Sequence, residues 1–123
     1  MRLLIDTHVL LWHLEDNPQL PVVWSEVLED TTHEKYCSIA TLWEIAIKIN
    51  IGKLTLDYPL DKLVPVDFRI LPVEMTHVLA YQQLPLHHRD PFDRILIAQA
   101  QVEGLTVMTQ DANFPLYGVV LFR

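Results

Sequence analysis

A chain of 123 residues, half of them apolar, is long enough to bury one continuous core and short for two ordinary domains, so a single domain spanning 1–123 is expected. Its formal net charge of −7 argues against a protein that grips nucleic acid through a basic surface, although cations held in a carboxylate cluster would reverse the sign locally. The longest apolar runs, Val9 to Trp12 and Ile95 to Ala98, fall far short of the roughly 20 residues that cross a bilayer, and a carboxylate at Asp6 comes too early for a secretory leader; a cytosolic location and no membrane contact are expected.

Arg2 to Ile5 reads as a buried strand ending in an acid, and Thr7 to Leu14 follows as a helix with Val9, Leu10 and Leu14 at helical spacing. Asn17-Pro18 interrupts it. Pro21 opens a second helical stretch with Val23, Val27 and Leu28 on one face. Lys35 to Ile39 is the next strand, and its Cys37, the only cysteine, is expected to be a buried thiol. Thr41 to Ile51 then forms a helix with Leu42, Ile45, Ala46 and Ile49 together and Gly52 as its stop.

Three prolines divide the middle, where a short helix near Leu60 to Val64 and a strand from Phe68 to Val73 are expected. Thr76 to Leu84 is a helix ended by Pro85, and His87-His88-Arg89-Asp90 is a polar loop. Pro91 to Glu103 is a helix apolar most of the way round, as in an element packed on more than one side. Leu105 to Met108 and Val119 to Phe122 complete the strands. The alternation implies an α/β fold with a mainly parallel sheet of four to five strands flanked by helices.

In such a sheet ligands bind outside the carboxyl ends of the strands. Asp6 directly follows the first strand and Asp111 comes shortly after the run ending at Thr109. Glu44 stands near the start of the third helix, and Asp90 and Asp93 flank the start of the helix from Pro91. These acids should therefore converge on one crevice, where their mutual repulsion is costly unless cations fill it. Oxygen-only donors of this kind suit Mg²⁺ or Mn²⁺. Simpler roles compete. Asp90-Pro91 makes a good N-cap, Thr41-Leu-Trp-Glu44 matches a capping box, Glu44 can pair with Lys48, and Asp93 complements a helix dipole. The six histidines show no paired spacing for zinc, and His87 and His88 read as loop residues rather than ligands. With three glycines and no phosphate-binding loop, nucleoside-triphosphate chemistry is unsupported.

The opening Leu3-Leu4-Ile5-Asp6-Thr7-His8-Val9-Leu10-Leu11-Trp12, the stretch Ser38 to Lys48, the segment His88-Arg89-Asp90-Pro91-Phe92-Asp93-Arg94 with Ile97-Ala98-Gln99-Ala100, and Thr109-Gln-Asp111 together resemble a PIN domain of the VapC toxin type. The resemblance implies a ribonuclease dependent on Mg²⁺ or Mn²⁺, a homodimer, and a cognate VapB-like antitoxin. It matches Asp6, Glu44 and Asp93 to the principal metal-site acids and Asp111 to a fourth, with Asp90 additional and Thr7 and Thr109 as supports. An antitoxin would insert an arginine or lysine among the acids, with Trp12 and Trp24 as apolar anchors. Two rivals are a PIN-like module that binds RNA or a partner without catalysis, and a phospho-acceptor receiver domain. The second fits poorly, since the chain ends Leu121-Phe122-Arg123 with no lysine after the last strand.

Overall fold

The computed structural model describes all residues from Met1 to Arg123. Four strands form one sheet: β1 (Arg2–Ile5), β2 (Glu34–Ser38), β3 (Arg69–Leu71) and β4 (Thr106–Met108), in the order β3-β2-β1-β4 and all parallel. Five helices accompany them: α1 (Thr7–Leu14), α2 (Val22–Glu29), α3 (Ile39–Asn50), α4 (Met75–Gln82) and α5 (Pro91–Glu103). No helix is long and apolar enough to cross a membrane.

The pleat of β1 explains the two-sided core. Leu3 and Ile5 point to one face and pack with Val9, Leu10, Leu28, Ile45 and Met108. Leu4 points to the other and packs with Leu96, Ile97, Val107 and Phe114. Because both faces of the central strand are covered, Leu3, Leu4 and Ile5 are fully buried. The apolar circumference of α5 has the same cause: Leu96, Ile97, Ala98 and Ala100 are all buried, and Gly104 ends the helix in a left-handed conformation at φ 67°. Cys37 is buried as expected, and burial pushes its thiol up to about 12.

Several boundaries differ from the sequence reading, each for a local reason. β2 ends and α3 begins earlier than expected, because Ser38 caps the helix by accepting a hydrogen bond from Ala40 N–H. Thr41 therefore lies inside α3, and no capping box forms between Thr41 and Glu44. The expected helix at Leu60 to Val64 is one 3₁₀ turn, Leu60–Lys62, and β3 is shorter than Phe68 to Val73. Val119 to Phe122 is not a strand: Leu121 makes a single bridge to Val107, through Val107 N–H to Val120 O and Phe122 N–H to Val107 O. A 3₁₀ turn at Phe114–Tyr117, unforeseen in the sequence, consumes the chain before it and turns at Gly118 with φ 71°. In α2 the inward face carries Trp24, Val27 and Leu28, while Val23 is exposed.

One buried charge fastens the far side of the sheet. Lys35, with no exposed surface, donates from Nζ to the carbonyls of Leu28 and Asp30, each at 2.9 Å, and to Asp67 Oδ2 at 2.6 Å. The lysine's hydrogen bond holds the Asp67 carboxyl below its ordinary range. This one side chain ties β2 to the end of α2 and to the loop before β3. Lys35→Ala should lower stability by about 2–4 kcal/mol in urea unfolding, since two carbonyls lose their donor and a cavity opens. Lys35→Met, which refills the volume without the hydrogen bonds, should fall between that variant and the parent.

Candidate active site

The strand order sets where a ligand can sit. From β1 the chain crosses to β2 on one side, whereas β4 lies on the other, so the crevice at the carboxyl ends of β1 and β4 is a topological switch point. Asp6 and Asp111 both reach it. A cleft of about 260 Å³ opens there, lined by Asp6, His8, Trp12, Gln110 and Asp111.

Asp6 continues the β1–β4 ladder through its N–H to Met108 O at 3.0 Å and then caps α1, its Oδ1 accepting from Thr7 N–H at 2.8 Å. Its Oδ2 accepts from the Thr109 hydroxyl at 2.9 Å, and Asp111 N–H donates to that same hydroxyl oxygen at 3.0 Å. The residue is only 2% exposed. Burial pushes it up to about 6, against the hydrogen bonds from Thr109 and Thr7 and the charge of His8, while Asp111 pushes it further up.

Asp93 arrives from a different direction. Asp90 caps α5, accepting from Phe92 N–H at 2.9 Å and Asp93 N–H at 3.2 Å, and Pro91 sets the first turn. That fixes Asp93 one turn into the helix, where burial pushes its carboxyl up to about 7. A hydrogen bond from His88 opposes the rise, and the charges of Asp90, Asp6 and Asp111 add to it. Asp6, Asp93 and Asp111, from three separate segments, thus share one electrostatic neighbourhood.

Glu44 stands one step away. Its Oε1 accepts from the Thr7 hydroxyl at 2.8 Å, and its Oε2 lies 3.5 Å from Lys48 Nζ, the helical pairing expected from the sequence. Thr7 therefore links Glu44 to the residue that Asp6 caps. Thr109 supports Asp6 directly, and Asp90 serves as a cap whose charge also acts on Asp93. The tryptophans differ from expectation. Trp12 and Trp24 are half-buried against the core, and Trp43, beside Glu44, is the exposed one at 65%.

One residue near the acids was undervalued by the sequence reading. His88 bonds Asp93 Oδ2 through Nε2 at 3.1 Å and the Tyr117 hydroxyl through Nδ1 at 2.7 Å. Its position five residues before Asp93 was the available signal; its partner Tyr117 lies in the unforeseen 3₁₀ turn and gave none.

A model of the PIN domain matches residues 3–119. The chain belongs to the PIN-domain family. Among solved structures it is similar to VapBC2 from Rickettsia felis bound to a DNA fragment from their promoter, with TM-score 0.76 and 14% identity over 99% of this chain and 98% of that one. It is also similar to FitAcB from Neisseria gonorrhoeae, with TM-score 0.71 and 21% identity over 98% and 96%. A third is DNA-bound VapBC from Salmonella typhimurium, with TM-score 0.71 and 15% identity over 100% and 97%. At these identities the likeness is one of fold. No curated protein sequence matches it.

The donor set of this PIN domain suits a hard divalent cation. Asp6, Asp93 and Asp111 offer only carboxylate oxygens, and no lysine or arginine pairs with any of them. No three histidine, cysteine or acidic side chains form a finished metal cage as they stand; Asp6 and Asp111 line the open cleft, and Asp93 and Glu44 are not among its lining residues. Asp6 and Asp93 are held where ionisation is unfavourable, which is the condition a cation relieves.

The pH dependence of the protein free of metal follows from these shifts. An aspartate whose folded pKa lies above its unfolded value costs nothing while both states are protonated. The cost develops as pH rises through the unfolded value and is complete above the folded one. Stability should therefore fall between about pH 4 and pH 7, with the upper limit near the Asp93 value of about 7. For Asp6 alone the loss at neutral pH is roughly 2–3 kcal/mol. Asp93→Asn, and to a lesser degree Asp6→Asn, should flatten that decline in urea unfolding and leave the metal-free protein as stable as the parent or more so; a large loss of stability would make these acids structural.

Proposed function

We propose that this PIN domain is a metal-dependent endoribonuclease spanning residues 1–123, the toxin of a toxin–antitoxin pair. The observation that carries the reading is a buried Asp6 and a half-buried Asp93 within electrostatic reach of each other, both with raised pKa values and neither with a lysine or arginine partner. Holding such groups away from water with no lysine or arginine beside them costs stability even where neutral donors satisfy them, so the arrangement is best explained by a ligand that supplies positive charge.

Asp6 and Asp93 would hold Mg²⁺ or Mn²⁺, with Asp111 and Glu44 as the further acids of the site. Bound there, the cation supplies a water of lowered pKa and stabilises charge on the phosphate oxygens during hydrolysis. Thr109 keeps Asp6 turned toward the cleft, and Thr7 holds Glu44 at its edge. The open side of the cleft, with His8 and Trp12, admits a single-stranded or looped RNA backbone. The hydrogen bonds of Thr109 to Asp6 and of Thr7 to Glu44 support a catalytic site over an inert binding module.

The partner reading draws on complexes to which the fold is similar, among them two named VapBC2 and VapBC, one named FitAB and one described as a toxin-antitoxin complex. An antitoxin of the VapB kind would place an arginine or lysine among Asp6, Asp93, Asp111 and Glu44, where charge-assisted hydrogen bonds to carboxylates are strong. A second copy of the chain would cover a different surface. Ile39, Trp43, Val73, Pro91, Phe92 and Ile95 line an apolar cleft, with Trp43 and Phe92 edge to face at 5.2 Å. A cationic peptide has no counterpart on this uncharged face, whereas a two-fold-related copy presents the same apolar chemistry to itself. A cytoplasmic location belongs to the same reading; no helix of the fold is long and apolar enough to cross a membrane.

Purified protein should cut single-stranded or looped RNA with Mg²⁺ or Mn²⁺ and stop in EDTA, and its expression should arrest growth unless the neighbouring small gene is co-expressed. Cleavage persisting in chelator would reject the mechanism, and a folded, metal-binding protein that cuts no RNA would leave the inert module as the reading. Trp43→Glu should convert the dimer to a monomer in light scattering by burying an unpaired charge at the interface, while the metal site stays intact; a parent protein that is already monomeric would refute the assignment of that face.

A further inference from the structure

The hydrogen bonds around Tyr117 determine the state of a residue that the nuclease reading does not use. The phenol oxygen accepts from His88 N–H at 3.2 Å, and its own proton faces two acceptors, His88 Nδ1 at 2.7 Å and the His88 carbonyl at 3.4 Å. The much shorter contact takes the proton, so the phenol donates to Nδ1. Nδ1 then accepts, so Nε2 must carry the ring proton, and Nε2 faces Asp93 Oδ2 at 3.1 Å. The imidazole is a donor aimed at the carboxylate.

The surrounding loop is built to keep it there. Arg94, 5% exposed, donates to the carbonyl of His88 at 3.0 Å and to that of Pro85 at 3.3 Å, and its guanidinium stacks over the Tyr81 ring at 5.0 Å. The His87 ring meets Tyr117 edge on at 4.8 Å. Backbone, ring and phenol are thus fixed from three sides, while Asp93 Oδ1 has no partner within the protein.

We propose that His88 is a positioning residue of the cation site: oriented by Tyr117, it holds Asp93 by Oδ2 and leaves Oδ1 free for the cation. A carboxylate with one oxygen committed to a fixed donor loses rotational freedom that a ligand would otherwise have to remove on binding, and its remaining oxygen is presented in one orientation. The proposal rests on the metal-site reading, but its geometric half is independent of it.

Two measurements test it. Calorimetric titration of the apoprotein with Mn²⁺ should show His88→Ala binding about 10–100-fold more weakly than the parent, His88→Gln recovering most of the loss because its amide can still donate to Asp93, and Tyr117→Phe falling between. Far-ultraviolet circular dichroism and thermal unfolding would establish that each variant is folded. Parent-like Mn²⁺ affinity in His88→Ala, or a folded His88→Gln no better than the alanine variant, would overturn the proposal. Long-range ¹H–¹⁵N spectra of the metal-free protein should report His88 protonated at Nε2 and not at Nδ1, with that preference lost in Tyr117→Phe. A proton on Nδ1 would overturn it whatever the metal result. A parent protein that binds no Mn²⁺ would instead remove the metal reading, and the tautomer would then decide the orientation of His88 by itself.

Discussion

The central constraint in this protein is the burial of a carboxylate at the end of its innermost strand. β1 is covered on both faces and paired on both edges, so the residue that follows it has little choice of position. Asp6 is that residue, and its two oxygens are engaged by Thr7 N–H and the Thr109 hydroxyl. Those neutral donors keep the buried group satisfied without neutralising it. The rest of the site consists of further acids delivered to the same place by elements that pack on the two sides of β1.

The delivery is specific to the topology. α3 packs on the face of the sheet that Leu3 and Ile5 occupy, and α5 on the face of Leu4. Helices that run back from the carboxyl ends of strands, or lead to their amino ends, have one terminus at the same sheet edge. Glu44 near the start of α3 thereby reaches Thr7, next to Asp6, and Asp93 near the start of α5 comes within electrostatic reach of Asp6. Asp111 arrives from the adjacent strand. Burial by the packing of both cores is the main reason Asp6 and Asp93 titrate above the ordinary carboxylate range, and repulsion from the neighbouring acids adds to it.

The site also shows a division of labour among polar neighbours. Thr7 connects Glu44 to the beginning of α1, Thr109 connects Asp6 to the turn that carries Asp111, and Asp90 connects the entry of α5 to the N–H of Asp93. The two threonine links reach across the fold, whereas the Asp90 link is local to the start of α5. The acids in the crevice can therefore be reached by solvent and ligand through a small opening while their backbones stay fixed. Lys35 serves a comparable purpose on β2, holding the loops beneath the sheet with no part in the crevice.

Much of this was legible in the amino-acid order. The strand ending at Asp6, the α1 periodicity, the Asp90-Pro91 cap and the apolar circumference of α5 are local signals, and each is written in residues within one or two turns of one another. They were enough to place the acids at one sheet edge and to mark the likeness to the PIN domain. What the tertiary structure alone decided depends on residues far apart in the chain. The Thr109–Asp6 bond, the Tyr117–His88 contact and the choice of a single bridge over a fifth strand at Leu121 all join segments whose proximity follows from chain packing. The exposure of Trp43 rather than Trp12 or Trp24 has the same origin, because helical periodicity assigns a residue to a face but not the neighbour that covers it. A hydrogen bond between distant side chains leaves no periodic trace in sequence; it exists only once two elements have docked and fixed the distance between them.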